Sequence, residues 1–137
     1  MRGIVATSAF LLFLQGVHGL DHLLLQDRGL PVQIGALGVV ESGATMLVLF
    51  LAWSDSPQAP VAAVVAGTGI ALAFVVAHIL PSWGFLSDPY ADASLGTHSW
   101  AIMFAGLAGA LALAVAGALA LQGSTTRKGA PWPSTEK

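Results

Sequence analysis

Four stretches of about twenty predominantly apolar residues occupy most of this chain, and each is long enough to cross the hydrocarbon core of a bilayer as a helix. They run over about residues 4–25, 32–53, 60–80 and 98–121. What lies between them carries turn chemistry: QDRGLP after the first, SDSPQAP after the second, and PSWGFLSDPYADASLG after the third. Strands of a closed barrel would alternate apolar and polar residues, and these Ala-, Leu- and Gly-rich runs do not. Composition points the same way. Only 9% of residues are charged, against roughly 25% in soluble domains. A small soluble globule cannot clothe its surface with so few charges. An ordinary cytosolic domain and a disordered chain are excluded on this ground. Five Lys and Arg are too few for a basic nucleic-acid binder. Cys is absent, which removes disulfides, thiolate metal sites and Cys nucleophiles.

The first apolar run follows Arg2, as in a signal peptide, but it continues into QGVHGLDH without a small-x-small cleavage site, so it is read as a span. Four spans put both termini on one side. That side collects Arg2, Arg127, Lys128 and Lys137, and the other has Arg28, so the termini are expected in the cytoplasm. The expected fold is an all-α integral membrane four-helix bundle, up-down-up-down, with both termini cytoplasmic. Its transmembrane domain covers residues 1–122, and residues 123–137 form a flexible cytoplasmic tail. In the fourth span, Ala108, Ala112, Ala116 and Ala120 recur every four residues, as do Gly106, Ala110, Ala114 and Ala118. Small residues at this spacing let helix backbones approach closely. Packing within the chain is the preferred reading, and a homo-oligomer the alternative.

The few polar groups inside the spans are concentrated. His18, Asp21 and His22 lie in the last two turns of the first span, His78 one turn before the end of the third, and His98 at the start of the fourth. In the expected topology all four histidines of the chain share one depth, near the outer interface. Ionisable groups in spans are costly and read as functional by default. His18 and His22 are four apart and share a helix face, with Asp21 bordering it, so two imidazoles and a carboxylate can meet one cation. Gln15 and Ser8 continue the same stripe, which must face protein or water. Glu41 stands near the middle of the second span, where a charged carboxylate costs about 2.5–3.5 kcal/mol to insert. That cost makes it a partner for the histidines, as a ligand or as a hydrogen-bonded neighbour. The plainer readings are interfacial histidines, an aromatic belt of Trp83, Tyr90 and Trp100, and turn chemistry at Asp88 and Asp92.

The stretch His18-Gly19-Leu20-Asp21-His22-Leu23-Leu24 resembles the Gly-x-Asp-His-Leu-Leu signature of the HupE/UreJ nickel-related membrane proteins. It is similar also to the His-Asp-His motif of nickel/cobalt permeases, with two residues before the Asp-His pair where that motif has four. Both resemblances imply a metal. The segment His78-Ile79-Leu80-Pro81-Ser82-Trp83, with Ser87-Asp88-Pro89-Tyr90, looks like one in small four-helix bacterial membrane proteins. That likeness implies a multi-pass protein of the bacterial cytoplasmic membrane and brings no activity.

The leading expectation is an outward-facing transition-metal site with His18, His22, His78 and His98 as ligands and Asp21 and Glu41 as ligands or supporting groups. Imidazole without thiolate suits Zn, Cu, Ni or Fe. Metal uptake, delivery, or a role as accessory subunit of a membrane metalloenzyme would follow. The first alternative is haem b, held by His18 or His22 with His78 or His98. The second is a cofactor-free subunit of a larger membrane complex. No Ser-His-Asp set or phosphate-binding glycine loop is present in suitable context, so an enzyme is expected only if the ligand set is itself the catalytic set. The expected partners are the lipid bilayer and a larger membrane complex or a second copy, and not nucleic acid.

Overall fold

A computed structural model describes residues 1–26, 30–92 and 95–128. It is all-α among the described residues, with helices α1 (Arg2–Leu24), α2 (Val32–Trp53), α3 (Ala59–Phe74) and α4 (Thr97–Lys128). The third helix continues as a π-helical turn over Val75–Ile79, and a 3-10 turn covers Tyr90–Asp92. Four segments, Arg2–Leu24, Val32–Trp53, Ala59–Ile79 and Thr97–Gly123, are long and apolar enough to cross a membrane. They coincide with the four apolar stretches. Arg28, which helps to orient the chain, lies outside the described residues, as do residues 129–137 of the expected tail. The described helix α4 runs to Lys128.

Helix boundaries follow local chemistry. Pro60 sits in the first turn of α3, where its missing N–H removes a donor that has no partner there anyway. Between α2 and α3, Asp55 takes φ 51, a left-handed conformation that Asp tolerates better than most residues.

The main packing runs around a ring, α1 on α2 and α4 and α3 on α2 and α4, and α1 also touches α3 across it. Side-chain size runs opposite to a soluble bundle. Phe10, Phe13, Met46, Phe50, Val65 and Leu119 point outward, whereas Ala59, Ala63, Ala71, Ala77 and Ala110 are buried. In lipid, burying a large apolar side chain gains little over leaving it in acyl chains, so close backbone packing through small residues carries association. The α3/α4 seam shows this. A Cβ on Gly67 would lie 2.5 Å from the Ala114 nitrogen and 2.6 Å from the Ala110 carbonyl oxygen. One on Gly117 would lie 2.6 Å from the Pro60 carbonyl oxygen. Of the two small-residue ladders on α4, the one through Gly106, Ala110 and Ala114 therefore packs inside the chain, while Ala108 and Ala112 are exposed.

Helix α2 is held differently. Its buried residues are Ile34, Thr45, Val48 and Ala52, so none is buried between positions 34 and 45. That half of α2 stands off from α1 and α3 and leaves a cavity of about 440 Å³ between them.

The seam predicts a sharp contrast between two glycines of α3. Gly67→Ala places a methyl group against backbone and should cost about 1–3 kcal/mol, read as a lower Tm in detergent. Gly69→Ala, which meets nothing within 4 Å, should stay within about 0.5 kcal/mol of the parent.

Candidate metal centre

The last residues of α3 do not continue as α-helix. The Leu80 N–H reaches back to the Val75 carbonyl, five residues away, at 3.1 Å. This wider turn is of the kind that recurs at functional sites. Pro81 follows and has no N–H to offer the Val76 carbonyl, so the Trp83 indole N–H donates to it instead, at 2.8 Å. The chain then folds back, and the Asp88 N–H donates to the Ala77 carbonyl at 2.7 Å. This return brings Asp88 and Tyr90 over the end of α3 and beside the last turns of α1.

His18, His22 and His78 converge there. One ring nitrogen of each lies within 4.8 Å of the others, and this is the one group of three or more His, Asp or Glu that could share an ion among the described residues. His18 and His22 meet edge to face with ring centroids 4.7 Å apart, and His22 and His78 are at 5.4 Å. His22 and His78 are buried, and His18 is half-buried behind Phe74.

The surrounding hydrogen bonds assign the protons. The Asp88 carbonyl is an acceptor only, so His78 Nδ1, at 3.1 Å, carries the hydrogen and donates to it. His78 Nε2 is left with its lone pair and faces His18 Nε2 at 3.3 Å. In the ion-free cluster the His18 Nε2–H donates to it, and the same spacing suits an ion that replaces this hydrogen, since tetrahedral Zn–N bonds of about 2.0–2.1 Å put neighbouring ligand nitrogens about 3.3–3.4 Å apart. Asp88 serves the second histidine as well: its Oδ2 lies 3.7 Å from His22 Nδ1. A histidine that binds metal through one nitrogen is usually held through the other by a carbonyl or carboxylate, and Asp88 supplies one of each.

Tyr90, the single tyrosine of the chain, is fully buried. Its ring lies 4.7 Å from that of His78, centroid to centroid and tilted by 56°, and its hydroxyl is 3.3 Å from both His22 Nε2 and Gln26 Nε2. The Gln26 amide can only donate, so the phenol oxygen accepts from it and turns its own hydrogen toward His22. Tyr90 thus belongs to the histidine cluster rather than to an aromatic belt, and Asp88 does more than shape a turn.

The other expected site residues are placed apart. The Asp21 carboxylate is buried and engaged: Oδ2 accepts from the Gln26 amide at 2.8 Å and Oδ1 from the Ser99 hydroxyl at 2.9 Å. It ties the end of α1 to the start of α4. His98 is exposed beside it, its Nε2 3.6 Å from Asp21 Oδ1. Glu41 lines the cavity that the three histidines also line, halfway along α2. Of the six residues, three therefore meet, two form a neighbouring pair, and one stands in the adjoining wall. Sequence reasoning does not place Asp88, Tyr90 and Gln26 in the cluster. The only signal for Asp88 and Tyr90 is their position in the loop after His78, and for Gln26 its place just beyond the end of α1.

No family model matches the chain, and no curated protein or solved structure is significantly similar to it. The chemistry of the site rests on its own geometry.

Tyr90→Phe removes the hydroxyl that both Gln26 and His22 use. It should lower stability by about 1–3 kcal/mol, measured as a fall in Tm in detergent, although the ring is kept.

Proposed function

We propose that this is a multi-pass membrane protein that holds one transition-metal ion on His18, His22 and His78. The observation that carries the reading is the convergence of three imidazoles from α1 and α3, with one Nε2 pair already at a ligand-to-ligand spacing. Imidazole ligands without any cysteine favour Zn(II), Cu(II), Ni(II) or Fe. Three protein ligands leave a coordination position for water or another ligand, as in sites that exchange or activate what they bind. Asp88 orients the rings, and the Tyr90 hydroxyl, whose hydrogen meets the His22 Nε2 lone pair in the ion-free protein, would turn away when that nitrogen takes the ion. Asp21 and His98 brace the same end of the bundle without belonging to the ligand set, and Glu41 faces the cavity beside it.

The distribution of Lys and Arg supports an up-down-up-down path with both termini in the cytoplasm and the site toward the outer face of a bacterial cytoplasmic membrane. Binding and delivery of the ion, or service as an accessory subunit, fits better than a self-contained channel. Below the cluster the cavity offers only Gln15, Glu41 and Ser42 as polar lining. The haem reading is less well supported. A porphyrin needs a slot between two facing imidazoles, and here a third ring closes on the pair, with centroids 4.7 and 5.4 Å away.

Metal-free protein in detergent should take up one equivalent of Zn(II), Cu(II) or Ni(II) and keep it through desalting, as measured by elemental analysis. His18→Ala and His78→Ala should each abolish retention, and His98→Ala should leave it unchanged. A Soret band in the protein as purified would select haem; absence of both colour and metal uptake would sink both readings. Asp88→Ala, which keeps the backbone carbonyl but removes the carboxylate near His22, should weaken the metal by about tenfold in a competition titration.

A further inference from the structure

The cavity beside the histidines has features that a metal site alone does not use. At about 440 Å³ it falls in the size range of small-molecule sites. Its walls are chiefly apolar, with Leu37, Met46 and Phe74 among them. Glycines contribute much of the α2 side, and a Cβ at Gly38 or Gly43 would meet nothing within 4 Å. One polar wall residue stands out. Gln15 is 9% exposed, and neither its amide nitrogen nor its amide oxygen has a hydrogen-bond partner among the described residues. His18 Nδ1, on the next turn of α1, is likewise buried and without a partner among them. Buried amides are almost always satisfied, and one left unmatched at a cavity wall points to what the cavity takes.

The mouth identifies how an occupant enters. Val39 and Met46 line the cavity yet are 74% and 60% exposed, on the outward apolar face of α2. If α2 crosses a membrane, that face meets acyl chains, so the entrance opens to the bilayer interior rather than to water. A charged head is costly along such a route. Glu41 in the wall further disfavours an anionic one. What remains is an uncharged head that can accept from the Gln15 amide nitrogen and donate to the Gln15 oxygen or to His18 Nδ1, which accepts in the metal-free protein because the His18 hydrogen sits on Nε2.

We infer that this cavity binds a bilayer-dissolved amphiphile with a hydroxyl or carbonyl head, the head meeting Gln15 and His18 and the apolar body lying against Leu37, Met46 and Phe74. The site goes beyond the metal reading and shares only His18 with it; Gln15 and the α2 wall are separate from the three-histidine set, so the site can be tested in metal-free protein.

The test uses full-length, metal-free protein in phosphatidylcholine vesicles and a photoreactive diazirine analogue of decan-1-ol, with labelled residues mapped by mass spectrometry. Labelling should concentrate on Leu37 and Phe74 over the outward residues Phe50 and Leu119, and excess decan-1-ol should compete where decane does not. Gln15→Leu, close in size and compatible with a helix, should reduce the cavity labelling about fivefold, the effect of roughly one neutral hydrogen bond. A His98→Ala control should leave it unchanged. Labelling spread evenly over the exposed apolar surface, equal competition by decane, or indifference to Gln15→Leu would each overturn the proposal. Loss of metal uptake with cavity labelling intact would count against the metal reading alone.

Discussion

The Asp88 main chain holds the candidate site together. Its N–H closes on the Ala77 carbonyl, its carbonyl takes the His78 Nδ1 hydrogen, and its carboxylate stands by His22. One residue of a connecting loop therefore sets the tautomer of one imidazole and flanks a second. The need behind this is general. Where water is scarce, a polar group left unmatched costs far more than a matched one gains, so the polar groups at this end of the bundle collect into connected sets. Ser99, Asp21, Gln26, Tyr90 and His22 form one such chain, which passes from α4 through the end of α1 to the loop after α3.

The two kinds of packing in the bundle serve different ends. The α3/α4 seam is closed at backbone distance through Gly67 and Gly117, which makes it a rigid wall. The first half of α2 does the reverse: Gly35, Gly38 and Gly43 remove bulk, and no residue is buried between Ile34 and Thr45. The tight half carries the helix end that aims His78, and the loose half leaves room beside His18 and His78. Ion and amphiphile sites would thus share His18, one through Nε2 and the other through Nδ1.

Much of the fold is legible in the amino-acid order, because a helix in an apolar layer satisfies its own backbone and announces itself by length and composition alone. The four histidines and two carboxylates are visible for the same reason, as costly exceptions in apolar runs. Their grouping is only partly legible. Spacing puts His18 and His22 on one face, but the π turn over Val75–Ile79 decides where His78 points, and no residue pattern in VVAHI marks it. Asp21 reads as a ligand or a supporting group because it borders the His18 and His22 face; its oxygens accept from Gln26 and Ser99 instead.

Four apolar helices, and histidines placed near helix ends with His18 and His22 on one face, follow from the sequence alone, since these depend on local composition and on the 3.6-residue period. The meeting of His18, His22 and His78, the exclusion of His98, and the recruitment of Asp88 and Tyr90 belong to the tertiary structure. Those outcomes depend on a loop folding back over the end of α3. The hydrogen bonds that hold it link residues up to 68 positions apart, a separation to which no local periodicity reaches.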